Sequence, residues 1–431
     1  MKSLLLRGGF LLIISAGISK LLGFLRDQLL VANFSLLQTD AIFVAFRIPD
    51  FFFGLLILGV TTTVILPRLH RLKPVEESLF FSAIFWRIFV VMACIFGFIG
   101  IFSEFFVSLL APAMKPALQQ QAAILVRYLC ASVFLISISA IFFTLWQYRE
   151  RFWIMAIAPL SYMGGMALAL YFFAEKLGFL TVGYGALFGA IIQTVILIVP
   201  FFINGEALVF QWKIPRHLWQ SIWVDTQRRI ATNVAFQTNQ TMDVWIAGFL
   251  IVGSITAFNI GSLLGNFLFT VIGIPVANAV FSRLTRQKND PKTQWKTLHH
   301  AVGVIFCFAI PAVALGLWVG KPFIQFFYDM TSEGFFMTHI SFFWVLLSAP
   351  FACVIPLFSR FFYAHHESRI PLWCSVFSLA AGTTTALILA LVVWDGAEAV
   401  RGIALGTFVA NTLNAALFYY FLRRKYGTLH H

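Results

Sequence analysis

The sequence predicts an all-α integral membrane protein with about twelve transmembrane helices, arranged as two six-helix lobes around a central cavity. Hydrophobic residues make up 60% of the 431 residues and charged residues only 11%, and the mean hydropathy is +0.88. A soluble protein of this length would carry far more polar surface. Apolar runs of roughly 20 residues, the length that crosses a bilayer, recur along the whole chain.

Hydropathy separates twelve predicted spans, which are joined by short polar segments. The spans lie near residues 10–32, 41–66, 80–110, 122–145, 153–173, 179–203, 227–250, 254–281, 299–328, 336–359, 370–393 and 401–422.

The basic residues of the segments between the spans predict the orientation. Most of the 30 Lys and Arg residues fall on one side of the predicted membrane, whereas Lys115, Lys176, Lys321 and Arg401 fall on the other. Cytoplasmic segments are the ones enriched in Lys and Arg, so both termini are expected in the cytoplasm. The formal net charge of +13 is thereby explained as a topology signal, and no basic domain outside the membrane indicates a nucleic-acid partner.

The longest interruption between spans, at residues 206–226, has a composition typical of an interfacial helix on the cytoplasmic surface. It contains Trp212, Trp219 and Trp223 among basic residues. We predict that it links an N-terminal lobe, residues 1–205, to a C-terminal lobe, residues 227–431.

A weak internal repeat supports the two lobes. The octapeptide DQLLVANF from Asp27 aligns with DVWIAGFL from Asp243, and Ala41 then meets Ala257. Because each lobe has an even number of spans, the repeat is expected to be parallel. Chance similarity between apolar segments is the alternative.

The first two spans carry an unusual set of charges. Charged side chains in the hydrocarbon region are expensive and usually face a partner or a wet cavity. The six residues are Lys20, Arg26, Asp27, Asp40, Arg47 and Asp50. We predict a cationic cavity that binds an anionic substrate through Lys20, Arg26 and Arg47. Acidic cavity or coupling candidates are Asp27, Asp40 and Asp243.

Two local readings stay open in this stretch. Lys20 and Asp27 are seven residues apart and share a helix face, so they could form an internal ion pair while Arg26 extends toward the interface. Pro49, between Arg47 and Asp50, interrupts the helical hydrogen bonding and could mark a moving element or a simple kink. No Walker-type glycine loop, Gly-x-Ser-x-Gly elbow or HExxH motif occurs, which argues against a membrane enzyme.

The same stretch resembles the N-terminal signature of the MurJ/MviN family. The segments SKLLGFLRD from Ser19 and TDAIFVAFRIPD from Thr39 are similar to the family pattern S-R-x-L-G-x-x-R-D followed by T/A-D-A-F-x-V-A-F-[RK]-[IL]-P-N. The segment from Gly273 to Arg283 is similar to the family's eighth helix.

The resemblance implies a lipid II flippase of the multidrug/oligosaccharidyl-lipid/polysaccharide exporter superfamily. Such a protein moves a polyprenyl-diphosphate-linked glycan precursor from the cytoplasmic to the outer leaflet for peptidoglycan biogenesis, by alternating access. Lys20 and Arg26 match family cavity residues that face the diphosphate, and Asp40 matches a family acidic position. The resemblance also implies a bacterial inner-membrane location, membrane lipids as neighbours, a monomer and no cofactor. The energy source is left open between H⁺, Na⁺ and the membrane potential.

The chain is a divergent and shortened relative of that pattern. Phe53 and Gly54 stand where the family has two arginines, Leu58 stands at a family glutamate, and Leu263 aligns with a family arginine. Twelve spans are predicted here against fourteen in the family. An ion-coupled multidrug or organic-cation antiporter of the same superfamily, working through Asp27, Asp40 and Asp243, is one alternative. A non-transporting scaffold derived from a flippase is another.

Overall fold

The computed structural model describes residues 2–57, 61–69, 74–212, 214, 216–286, 291–365, 367 and 369–426. Throughout these residues the regular structure is helical, without β-strands. The α-helices are α1 (Lys2–Asn33), α2 (Leu36–Leu56), α3 (Leu66–Leu69), α4 (Pro74–Ile101), α5 (Ser103–Leu110), α6 (Pro116–Tyr148), α7 (Phe152–Leu177), α8 (Leu180–Ile203), α9 (Arg216–Ala247), α10 (Ser254–Gly265), α11 (Ile274–Arg286), α12 (Pro291–Phe327), α13 (Ser332–Ala364), α14 (Arg369–Ile388) and α15 (Ala399–Tyr426). π-Helical turns occur at Thr61–Ile65, Phe269–Gly273 and Leu389–Val393, and a 3₁₀ turn occurs at Gly396–Glu398.

These helices confirm the predicted all-α membrane class. Each predicted span is occupied by one long helix or by consecutive helices such as α4 with α5 and α10 with α11. Within the described residues, nine helical stretches are long and apolar enough to cross a membrane. The other long helices, α1, α2 and α9, are the ones that contain the charged residues singled out above.

Helix α2 begins earlier than the predicted second span because of a capping box. The Ser35 hydroxyl accepts a hydrogen bond from the Gln38 backbone N–H at 3.4 Å, and Gln38 Oε1 accepts one from the Ser35 N–H at 3.1 Å. These reciprocal bonds satisfy donors that a helix start leaves open. The helix then runs through Pro49 and ends only at Leu56, so Pro49 is not a helix end.

The second helix of each predicted lobe ends in a similar irregularity. After α2 comes the π-turn Thr61–Ile65 and then α3, and after α10 comes the π-turn Phe269–Gly273 and then α11. A π-turn inserts an extra residue into a helix and is uncommon. The two turns are out of register in the predicted alignment, because Thr61 follows Asp27 by 34 residues and Phe269 follows Asp243 by 26, so the repeat stays a prediction. Leu58, the residue at the family glutamate position, lies outside the described residues.

The chain divides into two compact units, Met1–Thr238 and Asn239–His431. Helix α9 begins at Arg216 and runs without interruption to Ala247, across that division. The predicted lobes at residues 1–205 and 227–431, with a linker at 206–226, stay a prediction.

In the N-terminal unit, α7 packs against α1 and α8. A Cβ atom added at Gly165 would lie 2.7 Å from Gly189 Cα, so both helices need glycine at this crossing. Small residues of this kind let membrane helices approach closely. At one end of the unit, Phe81, Phe142 and Trp146 are buried in an aromatic core. The Trp146 indole N–H donates to the Leu197 carbonyl at 2.8 Å.

The C-terminal unit is organised around α13, which packs against α10, α12 and α15. Its contact with α10 depends on small residues, because a Cβ at Gly261 would lie 2.8 Å from the Thr338 carbonyl oxygen. The buried cluster near the other end of α13 includes Phe358, Phe361, Phe362 and Phe418. This apolar packing fixes the last turns of α13 beside the C-terminal half of α15.

Candidate functional site

An ion pair inside α1 holds the first of the predicted site residues. The Arg26 guanidinium donates to Asp27 Oδ1 from Nε at 2.8 Å and from Nη2 at 2.6 Å. The side chains are only 18% and 6% exposed. Two charges held this far from water need each other, because either one alone would be buried without compensation. The suggested Lys20–Asp27 pair is therefore wrong, since Asp27 is bound by Arg26 and Lys20 is exposed.

Arg26 also connects α1 to α2. Its guanidinium carbon lies 5.4 Å from the centre of the Phe46 ring, which is buried. An arginine over an aromatic face gains from the ring quadrupole, more so away from water. The contact places Arg26 at the junction between α1 and α2 instead of in a lipid-facing position.

Arg47 is held by the C-terminal half of α9. Its Nη2 donates to the Gln237 carbonyl oxygen at 2.8 Å and to Gln237 Oε1 at 3.1 Å. Gln237 is buried, with 6% of its surface exposed. Hydrogen bonds to a charged group are stronger than neutral ones, so this contact ties α2 to α9.

Gly54 makes that contact sterically feasible. A Cβ atom at Gly54 would lie 2.0 Å from Gln237 Nε2, so a side chain at Gly54 would displace the amide. The Asn233 amide donates to the Gly54 carbonyl at 3.0 Å, one helical turn before Gln237. Gly54, which stands where the family pattern has an arginine, therefore leaves room for the Gln237 amide of α9. Gln237 is a polar residue packed between the two helices at this position.

A cavity of about 220 Å³ lies inside the N-terminal unit, between α1, α2, α6, α7 and α8. Its polar lining comes from Ser19, Asp50, Tyr162 and Gln193, and the remaining lining is apolar. Asp50 is exposed to this space and interacts electrostatically with Arg47 and Arg26. Lys20, the neighbour of Ser19 in sequence, is also exposed.

The structure thus brings together part of the predicted set. Arg26 and Asp27 lie at the α1–α2 junction, and Arg47 lies between α2 and α9. Asp50, which lines the cavity, interacts electrostatically with both guanidinium groups. Asp40 is buried near the start of α2, away from the cavity lining. Asp243 is half-buried on α9 in the other unit.

Asp50, Tyr162 and Gln193 are the residues that the sequence prediction missed as site members. Asp50 could have been found, because it follows Arg47 by three residues and so lies on the same face of α2. Tyr162 and Gln193 come from later helices, and their sequence surroundings resemble ordinary membrane-helix packing. Among the described residues, no group of three or more His, Cys, Asp or Glu side chains is placed to hold a metal ion.

A second polar contact fixes the N-terminal part of α9. Arg68 on α3 donates to Asp225 Oδ2 at 2.6 Å and to the Ser221 hydroxyl at 2.7 Å, both on α9. Its other nitrogen donates to the Val64 carbonyl at 2.6 Å in the π-turn. Together with Arg47 and Asn233, this gives α9 a row of polar attachments to the segment that contains α2 and α3.

Arg149, between α6 and α7, makes the corresponding contact for the segment after α8. It donates to both oxygens of Glu206 and lies 3.4 Å from a Glu77 oxygen. Burial acts to lower the pKa of Arg149, but the hydrogen bonds and charges of Glu206 and Glu77 outweigh it and raise the pKa above its ordinary value. Arg149 is thus permanently charged and holds the residue 206 segment against α4 and α6.

Comparison with known families gives one family model that matches most of the chain. The model described as lipid II flippase MurJ matches residues 34–431. A probable lipid II flippase MurJ of Buchnera aphidicola subsp. Acyrthosiphon pisum is 24% identical over 392 residues, covering 84% of this chain and 74% of the relative. The corresponding protein of Thermotoga maritima is 22% identical over 406 residues, covering 91% of this chain and 80% of the relative.

Solved structures give the same fold. A lipid II flippase MurJ in an inward closed conformation superposes with a TM-score of 0.83 at 20% identity, covering 96% of this chain and 87% of that one. An inward-facing multidrug resistance MATE family transporter of the MOP superfamily superposes with a TM-score of 0.77 at 15% identity, covering 97% and 98%. At these identities the structural likeness shows the fold alone.

Proposed function

The chain belongs to the lipid II flippase MurJ family, and from this membership we propose that it translocates a polyprenyl-diphosphate-linked glycan precursor of the lipid II type. The precursor would move from the cytoplasmic to the outer leaflet and serve cell-wall biogenesis. The activity is transport, so the chain is a flippase-family transporter and not an enzyme. Related curated proteins described as probable lipid II flippases support this substrate class.

The observation that carries the proposal is the placement of two guanidinium groups near Asp50, which lines the cavity of the N-terminal unit. Arg26 is paired with Asp27 at 2.6 Å, Arg47 is held by Gln237, and the Asp50 carboxylate interacts with both. A diphosphate is a strong acceptor for the bidentate donors of arginine. We infer that the substrate's phosphates replace Asp50 as the electrostatic partner of these two guanidinium groups.

Internal carboxylates explain how the site persists without its substrate. A cationic cluster at membrane depth would be costly if nothing compensated its charge. Arg26 is paired with Asp27, Asp50 interacts with Arg26 and Arg47, and the exposed Lys20 is the third basic residue of the proposed site. These five side chains together carry one net positive charge. The site therefore tolerates an empty state and still favours an anion.

The apolar remainder of the cavity fits the rest of this mechanism. Phe53, Val133, Ile136 and Met163 line the wall beside the polar groups. We propose that the diphosphate leaves water for the basic site while the lipid tail stays in the bilayer, which avoids the cost of taking a phosphate through hydrocarbon. Alternating access would then present the site to each side of the membrane in turn.

We further propose the setting in which this transport occurs. The chain is a multi-pass membrane protein, and the distribution of basic residues favours both termini in the cytoplasm of a bacterial cell. We propose that it acts as a monomer without a cofactor. H⁺, Na⁺ or the membrane potential would supply the energy.

The test is precursor translocation by the purified full-length chain in lipid vesicles. Lys20→Ala and Arg26→Ala, together, should reduce the initial rate by roughly tenfold or more, because each removes a charged donor to the phosphates. The matched control is Arg127→Gln, which changes a half-exposed arginine elsewhere in the same unit. Undiminished transport by the double variant would rule out the cationic-cavity mechanism.

A further inference from the structure

A pocket of about 410 Å³ lies in the C-terminal unit, between the first turns of α13 and the start of α15. Its volume is within the range of roughly 300–1,000 Å³ that small-molecule sites occupy. It is separate from the cavity of the N-terminal unit and shares no residue with it. The pocket is lined by Phe336, His339, Ile340, Phe343, Trp344 and Arg401.

The α13 side of the pocket is a single helical stripe. Its five residues follow the spacing i, i+3, i+4, i+7 and i+8, which places them on one face of a helix. Another face of α13 packs on α10, where Thr338 and Ser341 contact Gly261 closely. The aromatic stripe is therefore not used for that packing, and Phe336 remains 38% exposed.

Arg401 supplies the positive charge in the lining of the pocket. The Arg401 guanidinium forms an ion pair with Glu398, with 2.9 Å between Nη2 and Oε2, and lies 5.5 Å from the centre of the Trp394 ring. Among the described residues, Arg401 Nε has no hydrogen-bond partner, so Glu398 does not saturate this arginine. His339 lies beside it in the lining, and Lys321 on α12 interacts electrostatically with His339.

This combination of charge and depth identifies an occupant. Trp and Arg side chains near helix ends mark the membrane–water interface, where lipid headgroups lie. Basic pockets between transmembrane helices at that level recognise anionic headgroups. A stripe of aromatic and aliphatic side chains leading from the basic mouth along α13 suits a lipid chain.

We propose that this pocket binds an anionic phospholipid, with the phosphate at Arg401 and one chain along the aromatic stripe of α13. The distribution of basic residues places this end of α13 on the extracytoplasmic side, so the lipid would come from the outer leaflet. Glu398 competes with the phosphate for Arg401, which sets the affinity of the site. The site is independent of precursor transport and would be present in a transport-inactive variant.

The test uses the purified full-length chain and native mass spectrometry, with titration of dioleoylphosphatidylglycerol or dioleoylphosphatidylcholine. Wild type should retain one phosphatidylglycerol molecule in preference to phosphatidylcholine. Arg401→Gln should weaken phosphatidylglycerol retention by roughly tenfold or more, the effect of losing a hydrogen bond between charged groups. Trp344→Leu should weaken the retention of both lipids, because it removes part of the apolar wall.

Glu398→Gln should increase binding, a result that misfolding cannot produce. Removing the competing carboxylate should tighten phosphatidylglycerol binding severalfold and leave phosphatidylcholine unchanged. Lys176→Gln is the control, since this residue lies at the end of α7 on the same predicted side and outside the pocket. Equal retention of phosphatidylglycerol by wild type, Arg401→Gln and Glu398→Gln would overturn the proposal. Displacement of the lipid by inorganic phosphate at equal concentration would also overturn it, because the aromatic stripe would then contribute nothing.

Discussion

Helices α2 and α10 occupy matching places in the predicted internal repeat, yet they carry different chemistry. Helix α2 contains Asp40, Arg47 and Asp50, whereas α10 contains no charged residue. Polar groups of α9 hold α2, while α10 meets α13 through Gly261 and Gly265. The arginine-containing site is thus built into the N-terminal unit, which places the proposed anion recognition there.

Removing one member of the buried pair in α1 should have the largest effect on the charged half. Arg26→Met leaves Asp27 buried without its partner, and we expect a loss of about 3 kcal/mol in the free energy of unfolding. Unfolding in detergent micelles with increasing denaturant would measure it. Lys20→Met, at an exposed position of the same helix, is the matched control and should change stability little. An equal loss in both variants would contradict the assigned ion pair.

Cutting the link between α2 and α9 should have the next largest effect. Gln237→Leu removes the acceptor Oε1 for Arg47 and keeps the Gln237 backbone carbonyl, and we expect it to cost about 2 kcal/mol in the free energy of unfolding. The same unfolding measurement applies. Gln220→Leu changes an exposed glutamine of α9 and serves as the control. Stability unchanged in Gln237→Leu would show that the amide contributes nothing to holding Arg47.

The stability of the unit that contains α10 should depend on side-chain volume at the α10–α13 contact. Gly261→Ala would place a methyl group 2.8 Å from the Thr338 carbonyl oxygen, and we expect a loss of about 1–2 kcal/mol from the forced separation of α10 and α13. Gly303→Ala on α12 is the control, because open space surrounds that glycine and alanine favours helix. The close-packing explanation would be contradicted if Gly261→Ala were as stable as Gly303→Ala or more stable.

The smallest effect is expected where a charge is exposed. Arg127 lies 3.4 Å from Glu104, and the two side chains are 51% and 68% exposed. Water screens such a pair, so Arg127→Gln should change the unfolding free energy by less than about 1 kcal/mol. Thermal unfolding of the two proteins side by side would check this. A loss as large as that of Arg26→Met would mean that burial does not rank the charged pairs of this unit.

The sequence predicted the helices well because span length and hydropathy are local properties. It also located the charged stretch, since charges in apolar runs are conspicuous. It did not predict the partners of these charges. Helical periodicity suggested Lys20 as the partner of Asp27, whereas the long side chain of Arg26 reaches Asp27 directly.

Other parts of the site depend on packing between distant segments. Gln237 is 190 residues from Arg47, and nothing in its local sequence distinguishes a cavity residue from one that joins two helices. Gly54 could be recognised as a departure from the family pattern. Its consequence, space for the Gln237 amide, became evident only when α2 and α9 were placed side by side.

The most direct measurement is precursor translocation by the Arg26→Met/Asp27→Leu double variant in lipid vesicles. Replacing both members of a buried ion pair by apolar residues is often neutral for stability, so this variant should unfold close to wild type. Its transport should nevertheless fall by roughly tenfold or more, because the guanidinium that binds the diphosphate is gone. Transport at the wild-type rate by the stable double variant would contradict a phosphate-binding role for Arg26.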